Sequence, residues 1–473
     1  MNHMDDQKTE GGRQGTEKKP EVRSQKLEEK GSEALQSSPS SQLLTPDSSA
    51  ELRSADPLYS GRRHYPELDG LRAFAILGVI GLHFSACIPA SQIAAGGRPV
   101  EFITRMFSHG AWGVDLFFVL SGYLITGILL ASKGQAHYFR NFYARRTLRI
   151  FPLYYGTLLA ILVILPLVLG RLPQMISAAY QHQVWLWTYT SNIYGGVRGG
   201  AVFGNFLHFW TLAIEEQFYL VWPLLVFLVP ARRIGAVAVG IIILANISRI
   251  AFLCVAPIGD PTLVWSTLSG FTLFRADSLA FGAALAGLQY NRQLAEWRST
   301  FLLLAPIAAL LAISAAIFLP QYAAGIPVML LAHVTLAPVL FGAGLGCVLT
   351  AKGSSVPNAI LRTRILRTIG KYSYAMYVFH YIYLPLEIRW LPYALFLRLL
   401  RIPCVALATY LCIAAAIAFA SAFISYHLYE KHFLKLKRHF PETIKASDGS
   451  AAWPVAHAAS AKLGGTGPVG NNL

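Results

Sequence analysis

Runs of about 20 apolar residues recur along most of this chain, and they restrict it to structures that a lipid bilayer tolerates. A backbone in hydrocarbon must satisfy its own hydrogen bonds, so such runs become helices. Qualifying stretches lie near residues 69–88, 112–132, 151–170, 208–229, 234–256, 268–288, 301–319, 328–350, 372–388 and 403–427. Charged residues make up only 14% of the sequence, against about 25% in soluble domains. Ionised groups are costly in lipid, which accounts for the deficit. The aromatic stretch 184–194 is too short and too polar to span, and reads as a re-entrant or interfacial piece. The expected fold is an all-α integral membrane bundle of about ten transmembrane helices.

The formal net charge of +16 does not point to nucleic acid, because no recognition motif accompanies it. Lys and Arg gather instead in short loops between the apolar runs. One set of loops carries Lys133, Arg140, Arg145, Arg146 and Arg149, then Arg232 and Arg233, then Arg292 and Arg298. It continues with Lys352, Arg362, Arg364, Arg367 and Lys371, and ends with Lys431, Lys435, Lys437 and Arg438. The alternate loops hold fewer, although the loop 389–402 has three arginines. The positive-inside rule makes the first set cytoplasmic and puts both termini on that side. Residues 1–66 are rich in Ser, Glu, Lys and Gln and nearly free of aromatics, which predicts a disordered cytoplasmic extension. They lack the pattern of a signal peptide. The membrane domain is expected over 67–440, followed by a disordered cytoplasmic tail over 441–473. Five scattered cysteines show no metal-ligand spacing and no paired framework, and no metal is expected.

Several ionisable groups nevertheless lie inside the apolar runs, where by default they mark a functional interior. Arg72 and His83 are eleven residues apart, almost three whole turns, so both lie on one helix face about 16 Å apart along the axis. A snorkelling arginine and a hydrogen-bonded histidine would fit the same pattern. Asp115 sits near one end of the second span, as a cap or as the partner of a buried cation. In the fourth span His208, Thr211, Glu215, Tyr219 and Trp222 share a face by i+3 and i+4 steps, and Glu216 points about 100° away. Two adjacent carboxylates would be costly facing lipid, so Glu215 should face a polar cavity. Arg275 and Asp277 can neutralise one another, or Arg275 can reach a carboxylate across the bundle. Ser373, Tyr377 and His380 share a face of the ninth span, for interhelical hydrogen bonds or for chemistry. Arg146 and Arg149, next to Arg145, have the i,i+3 spacing that can grip a phosphate, or can meet anionic lipid headgroups.

Taken in order, LDGLRAFAILGVIGLHF, GVDLFFVLSGYLIT, RRTLRIFPLYY, HFWTLAIEEQFYLVWP, FRADSLAFGAALA and YSYAMYVFHY resemble the acyltransferase 3 family of integral membrane acyltransferases over residues 65–430. The resemblance implies transfer of an acyl group, usually acetyl from acetyl-CoA, onto cell-surface glycans or some secondary metabolites. It also implies that Arg72 and His83 are a functional pair, that Arg146 and Arg149 form an Arg-x-x-Arg element for the donor, and that Glu215 is the acidic residue of the fourth span. Many members acting on O-antigen carry a fused extracytoplasmic SGNH-type domain. Here no room for one is expected after the last span, which leaves the acceptor open.

Acyl transfer to a hydroxyl needs a base, oxyanion stabilisation and a bound thioester. The corresponding expectation places CoA phosphates on Arg145, Arg146 and Arg149, and His83 as general base. Glu215 would orient the imidazole or hold the imidazolium, Arg72 would bind donor phosphate or organise the entrance, and Asp115, Arg275, Tyr377 and His380 would line the acceptor side. The expected acceptor is a glycan or glycolipid reached from outside a bacterial-type inner membrane. A proton-coupled transporter or flippase of a glycan precursor is the rival reading, although the inverted repeats and broken helices of such carriers are not evident.

Overall fold

Each of the apolar stretches coincides with a long helix. The computed structural model describes residues 65–255, 261–318, 326–351 and 355–441, with the side chains of 261 and 315–333 excepted. The helices are α1 (Pro66–Ser85), α2 (Trp112–Ser132), α3 (Tyr138–Leu158), α4 (Trp210–Leu228) and α5 (Ile234–Val255). They continue with α6 (Thr272–Tyr290), α7 (Arg298–Phe318), α8 (Ile326–Thr350), α9 (Arg364–Trp390) and α10 (Pro403–Ser425). No strand occurs among the described residues. The expected extension over 1–66 and tail over 441–473 lie outside them, apart from Tyr65, Pro66 and Pro441.

Among the described residues six helical stretches are long and apolar enough to cross a membrane, and a seventh if Thr262–Gly270 and α6, bent by 47°, count as one. The burial pattern is that of a bundle in lipid. Val239, Ile243, Leu244 and Ile247 of α5 and Leu302, Leu303, Leu310 and Leu311 of α7 are exposed. The polar side chains Asp115, His208, Arg249, Arg275, Asp277 and His380 are buried. Apolar exposure on this scale has no place on a water-facing surface, and it identifies a multi-pass membrane protein.

Local chemistry sets the helix ends and contacts. Pro66 occupies the first turn of α1, with Glu67 and Asp69 beside it; the missing N–H costs nothing there and acids favour the positive end of the helix. Helices α2 and α6 approach backbone to backbone through Gly122, which faces the Leu279 carbonyl, and Gly282, which faces the Val119 carbonyl. Small residues permit such close crossings in lipid, where no hydrophobic force draws helices together.

The aromatic stretch 184–194 forms short helices, Gln183–Trp187 and Ser191–Arg198, laid on the bundle. The hydroxyls of Tyr154 and Tyr155 donate to the carbonyls of Leu186 (2.7 Å) and Trp187 (3.1 Å). Gln217 Nε2 donates to Tyr189 O at 2.8 Å and to Asn192 Oδ1 at 2.9 Å. Asn192 in turn donates to Gly270 O at 2.9 Å, at the bend before α6. This network fixes the stretch against α3, α4 and α6.

A Cβ at residue 122 would collide with the Leu279 backbone, which no side-chain rotation relieves. Overpacking usually costs about 1–3 kcal/mol. Gly122→Val should therefore lower the thermal midpoint of the purified protein by several degrees, whereas Gly240→Val, with open space at its Cβ position, should leave it near wild type.

Candidate active site

Helix α1 carries polar groups at both ends of one face, and the structure builds a different environment around each. Around Arg72, a cavity of about 110 Å³ is bordered by Arg146 and Arg149 of α3, Glu215 and Tyr219 of α4, and Ser121 of α2. The i,i+3 spacing turns Arg146 and Arg149 into it together. The Arg146 guanidinium lies 5.3 Å from the centre of the Tyr219 ring, a cation–π distance. The Ser121 and Tyr219 hydroxyls are hydrogen-bonded to one another. Arg72 is partly offset by Asp69, at 3.3 Å one turn away. Three guanidinium groups thus share one cavity with the single carboxylate of Glu215, an imbalance that suits an anion.

At the other end of α1, His83 Nδ1 lies 3.0 Å from His380 Nε2. His380 is fully buried, and its Nδ1 is 2.7 Å from the carbonyl of Tyr377. His208, just before α4, packs its ring 5.1 Å from that of His380. Its Nε2 is 3.1 Å from the Val378 carbonyl. Tyr377 joins the two regions. It borders the cavity, its hydroxyl donates to the His208 carbonyl at 3.0 Å, and it accepts from Thr211 at 2.8 Å. Among the described residues no three His, Cys, Asp or Glu side chains converge closely enough to hold a metal ion.

The expected grouping of residues is redrawn at five points. Glu215 does not orient His83: it faces the arginines, and His83 bonds another histidine. Arg145 does not border the cavity; it donates to the carbonyls of Phe440 (2.9 Å) and Lys437 (3.4 Å), tying α3 to the C-terminal segment. Asp115 and Arg275, expected to line an acceptor site, do not border the cavity. They pair with one another at 2.5 Å, both buried, and Ser278 donates to the same carboxylate at 2.7 Å. Asp277 pairs with Arg249 of α5 at 2.6 Å instead of with Arg275. Ser373 and Tyr377 border the cavity, whereas His380 belongs to the histidine cluster.

Two residues had no role assigned from sequence. Arg249 is fully buried and donates to Asn246, to Asp277 and to the Phe274 and Val334 carbonyls. A charge in the middle of an apolar helix was the available signal. His208 shares the Glu215 face in sequence, but only the fold brings it to His380.

The structure is thus a helical membrane bundle with an arginine-lined cavity and a histidine pair farther along the same helix. The chain belongs to the acyltransferase domain family, whose profile matches residues 65–427. It is similar to YrhL of Bacillus subtilis (30% identical over 332 residues, 67% of this chain and 48% of YrhL). It is likewise similar to the peptidoglycan O-acetyltransferase OatA of Listeria monocytogenes (31% over 339 residues, 68% and 49%). The O-acetyltransferase OatA of Staphylococcus aureus is 34% identical over 183 residues, 37% of this chain and 27% of OatA. The chain spans about half the length of YrhL and of the Listeria protein. No solved structure matches it.

If the Asp115–Arg275 pair is structural, removing one partner strands a buried charge, at a cost of about 3–5 kcal/mol. Asp115→Asn should sharply reduce the yield of folded protein in membranes. Adding Arg275→Gln to it should recover much of that yield, as fluorescence size-exclusion profiles of solubilised protein would show. A double variant no better than Asp115→Asn would contradict the pairing role.

Proposed function

We propose that this chain is a membrane O-acyltransferase that moves acetyl from acetyl-CoA onto a hydroxyl of a cell-surface glycan or related glycoconjugate. The observation that carries the reading is the division of α1, with Arg72 in an anion-suited cavity and His83 at a histidine pair. Family membership supports acyl transfer. The relatives named as O-acetyltransferases support an acetyl group, and the Listeria protein's name supports a cell-wall glycan acceptor.

In this reading all ten long helices cross a bacterial-type inner membrane, and both termini are cytoplasmic. The positive-inside rule then puts Arg146 and Arg149 at the cytoplasmic side. Together with Arg72 they hold the donor's phosphates. Tyr377 stands between cavity and histidines, on the route of the extended pantetheine arm. His83 accepts the proton of the acceptor hydroxyl as its oxygen attacks the thioester carbonyl. The acyl–sulfur bond then breaks, and the imidazolium returns the proton to the leaving thiolate. Glu215 keeps the arginine cluster from excessive mutual repulsion.

The test is transfer of radiolabelled acetyl from acetyl-CoA in membranes, with the labelled product identified by mass spectrometry. Wild type should label a glycan, and His83→Ala should lower the rate by about 10²–10⁴-fold, the usual contribution of a general base. Arg146→Gln with Arg149→Gln should raise the KM for acetyl-CoA more than that for the acceptor. Full transfer by a folded His83→Ala protein would refute the base role, and equal loss of both affinities would refute the phosphate role.

A further inference from the structure

We infer that His380 is a positioning residue that fixes the tautomer of His83, leaving its Nε2 as the bare, proton-accepting nitrogen. The inference deepens the proposal that His83 is the base, and it follows from which atoms can donate.

A backbone carbonyl only accepts, so the 2.7 Å contact of His380 Nδ1 with Tyr377 O requires a proton on that nitrogen. A lone pair there would face the oxygen's own lone pairs. His380 is fully buried, and its ring neighbours are His83, His208, Tyr377 and Tyr381, none of them anionic. An imidazolium without a carboxylate partner is costly at such a site, so His380 is neutral. Its Nε2 then carries a lone pair and must accept. The atom 3.0 Å away, His83 Nδ1, is therefore the donor, and the proton of neutral His83 sits on Nδ1. Its Nε2 has no hydrogen-bond partner among the described residues and holds the free lone pair.

The direction of the chain matters. His83 donates to His380, and His380 donates to a helix carbonyl. His380 thereby performs the orienting task that a carboxylate performs for the histidine of a hydrolytic triad. No buried negative charge is required. His208 follows the same rule beside it, since its Nε2 lies 3.1 Å from the Val378 carbonyl and must carry the proton. Its Nδ1 is bare, buried and without a partner. Two successive carbonyls of α9 thus fix two rings of the cluster, and the His83 tautomer follows from the first.

The test uses the full-length protein in lipid nanodiscs with ring-¹⁵N histidine. The His83 signals are assigned by their loss in His83→Gln. Wild type should show a protonated Nδ1 and an unprotonated Nε2 at His83. His380→Ala should shift that balance towards Nε2–H, whereas His380→Gln, whose amide oxygen can accept from His83, should preserve it. An Nε2–H tautomer in the wild type, or one unmoved by His380→Ala, would overturn the inference. In the transfer assay His380→Ala should lower kcat by roughly 100-fold with little change in KM for acetyl-CoA, and His380→Gln should recover a measurable part. Loss in His380→Ala that His380→Gln does not relieve, with the tautomer unchanged in both, would show a merely structural role. The spectra judge the tautomer even if His83→Ala retains transfer, so failure of the base reading and failure of this inference are distinguishable.

Discussion

The cost of leaving a charge unpaired in hydrocarbon organises this bundle. Water is absent, so each buried ion must find a counter-charge or several hydrogen bonds within the protein. Helices α2, α5 and α6 meet this requirement with two ion pairs. Asp115 takes Arg275 and Ser278, and Asp277 takes Arg249, whose other donors reach Asn246 and backbone carbonyls. Arg275 and Asp277, two residues apart on α6, therefore reach in different directions. Charge is neutralised here. The reciprocal glycine contacts of α2 and α6 complete a rigid wall.

The same accounting leaves the other side of α2 unbalanced. Arg72, Arg146 and Arg149 face a cavity with Glu215, and their surplus of positive charge is the condition an anionic ligand would relieve. The surplus is tolerable because the arginines stand near the end of α1 and the start of the apolar part of α3. It also explains why Glu215 belongs with the arginines. A carboxylate drawn towards His83 would leave the three guanidinium groups without the acid that borders their cavity. Electrostatics assigns the acid to the cations and leaves the histidines to be fixed by carbonyls.

How far these features were legible depends on whether one helix or two determined them. The Arg72–His83 separation, the cavity-facing side of α4 and the pairing of Arg146 with Arg149 are properties of a single helix, readable from spacing. Which carboxylate meets which cation is not. Asp115 lay among the candidate partners of a buried cation, but only the α2–α6 crossing names Arg275. Arg145 was misassigned for a related reason. It belongs to the same basic run as Arg146 and Arg149, and the C-terminal carbonyls that capture it lie nearly 300 residues downstream. The His83–His380 contact, across 297 residues, is likewise invisible to any local pattern.

Helices α1 and α9 are the two rails on which the site is mounted. Each carries one group for the cavity and another for the histidines: Arg72 and His83 on α1, Ser373 and His380 on α9, with Tyr377 bordering the cavity and touching the His208 and His380 rings. Where they meet, Gly370 of α9 rests against the Asp69 carbonyl of α1, so the rails are held in register near the arginine end. A relative slide by one residue would displace His380 by about 1.5 Å, enough to break its hydrogen bond to His83. The arginine end and the histidine end are thus joined through the same two helices.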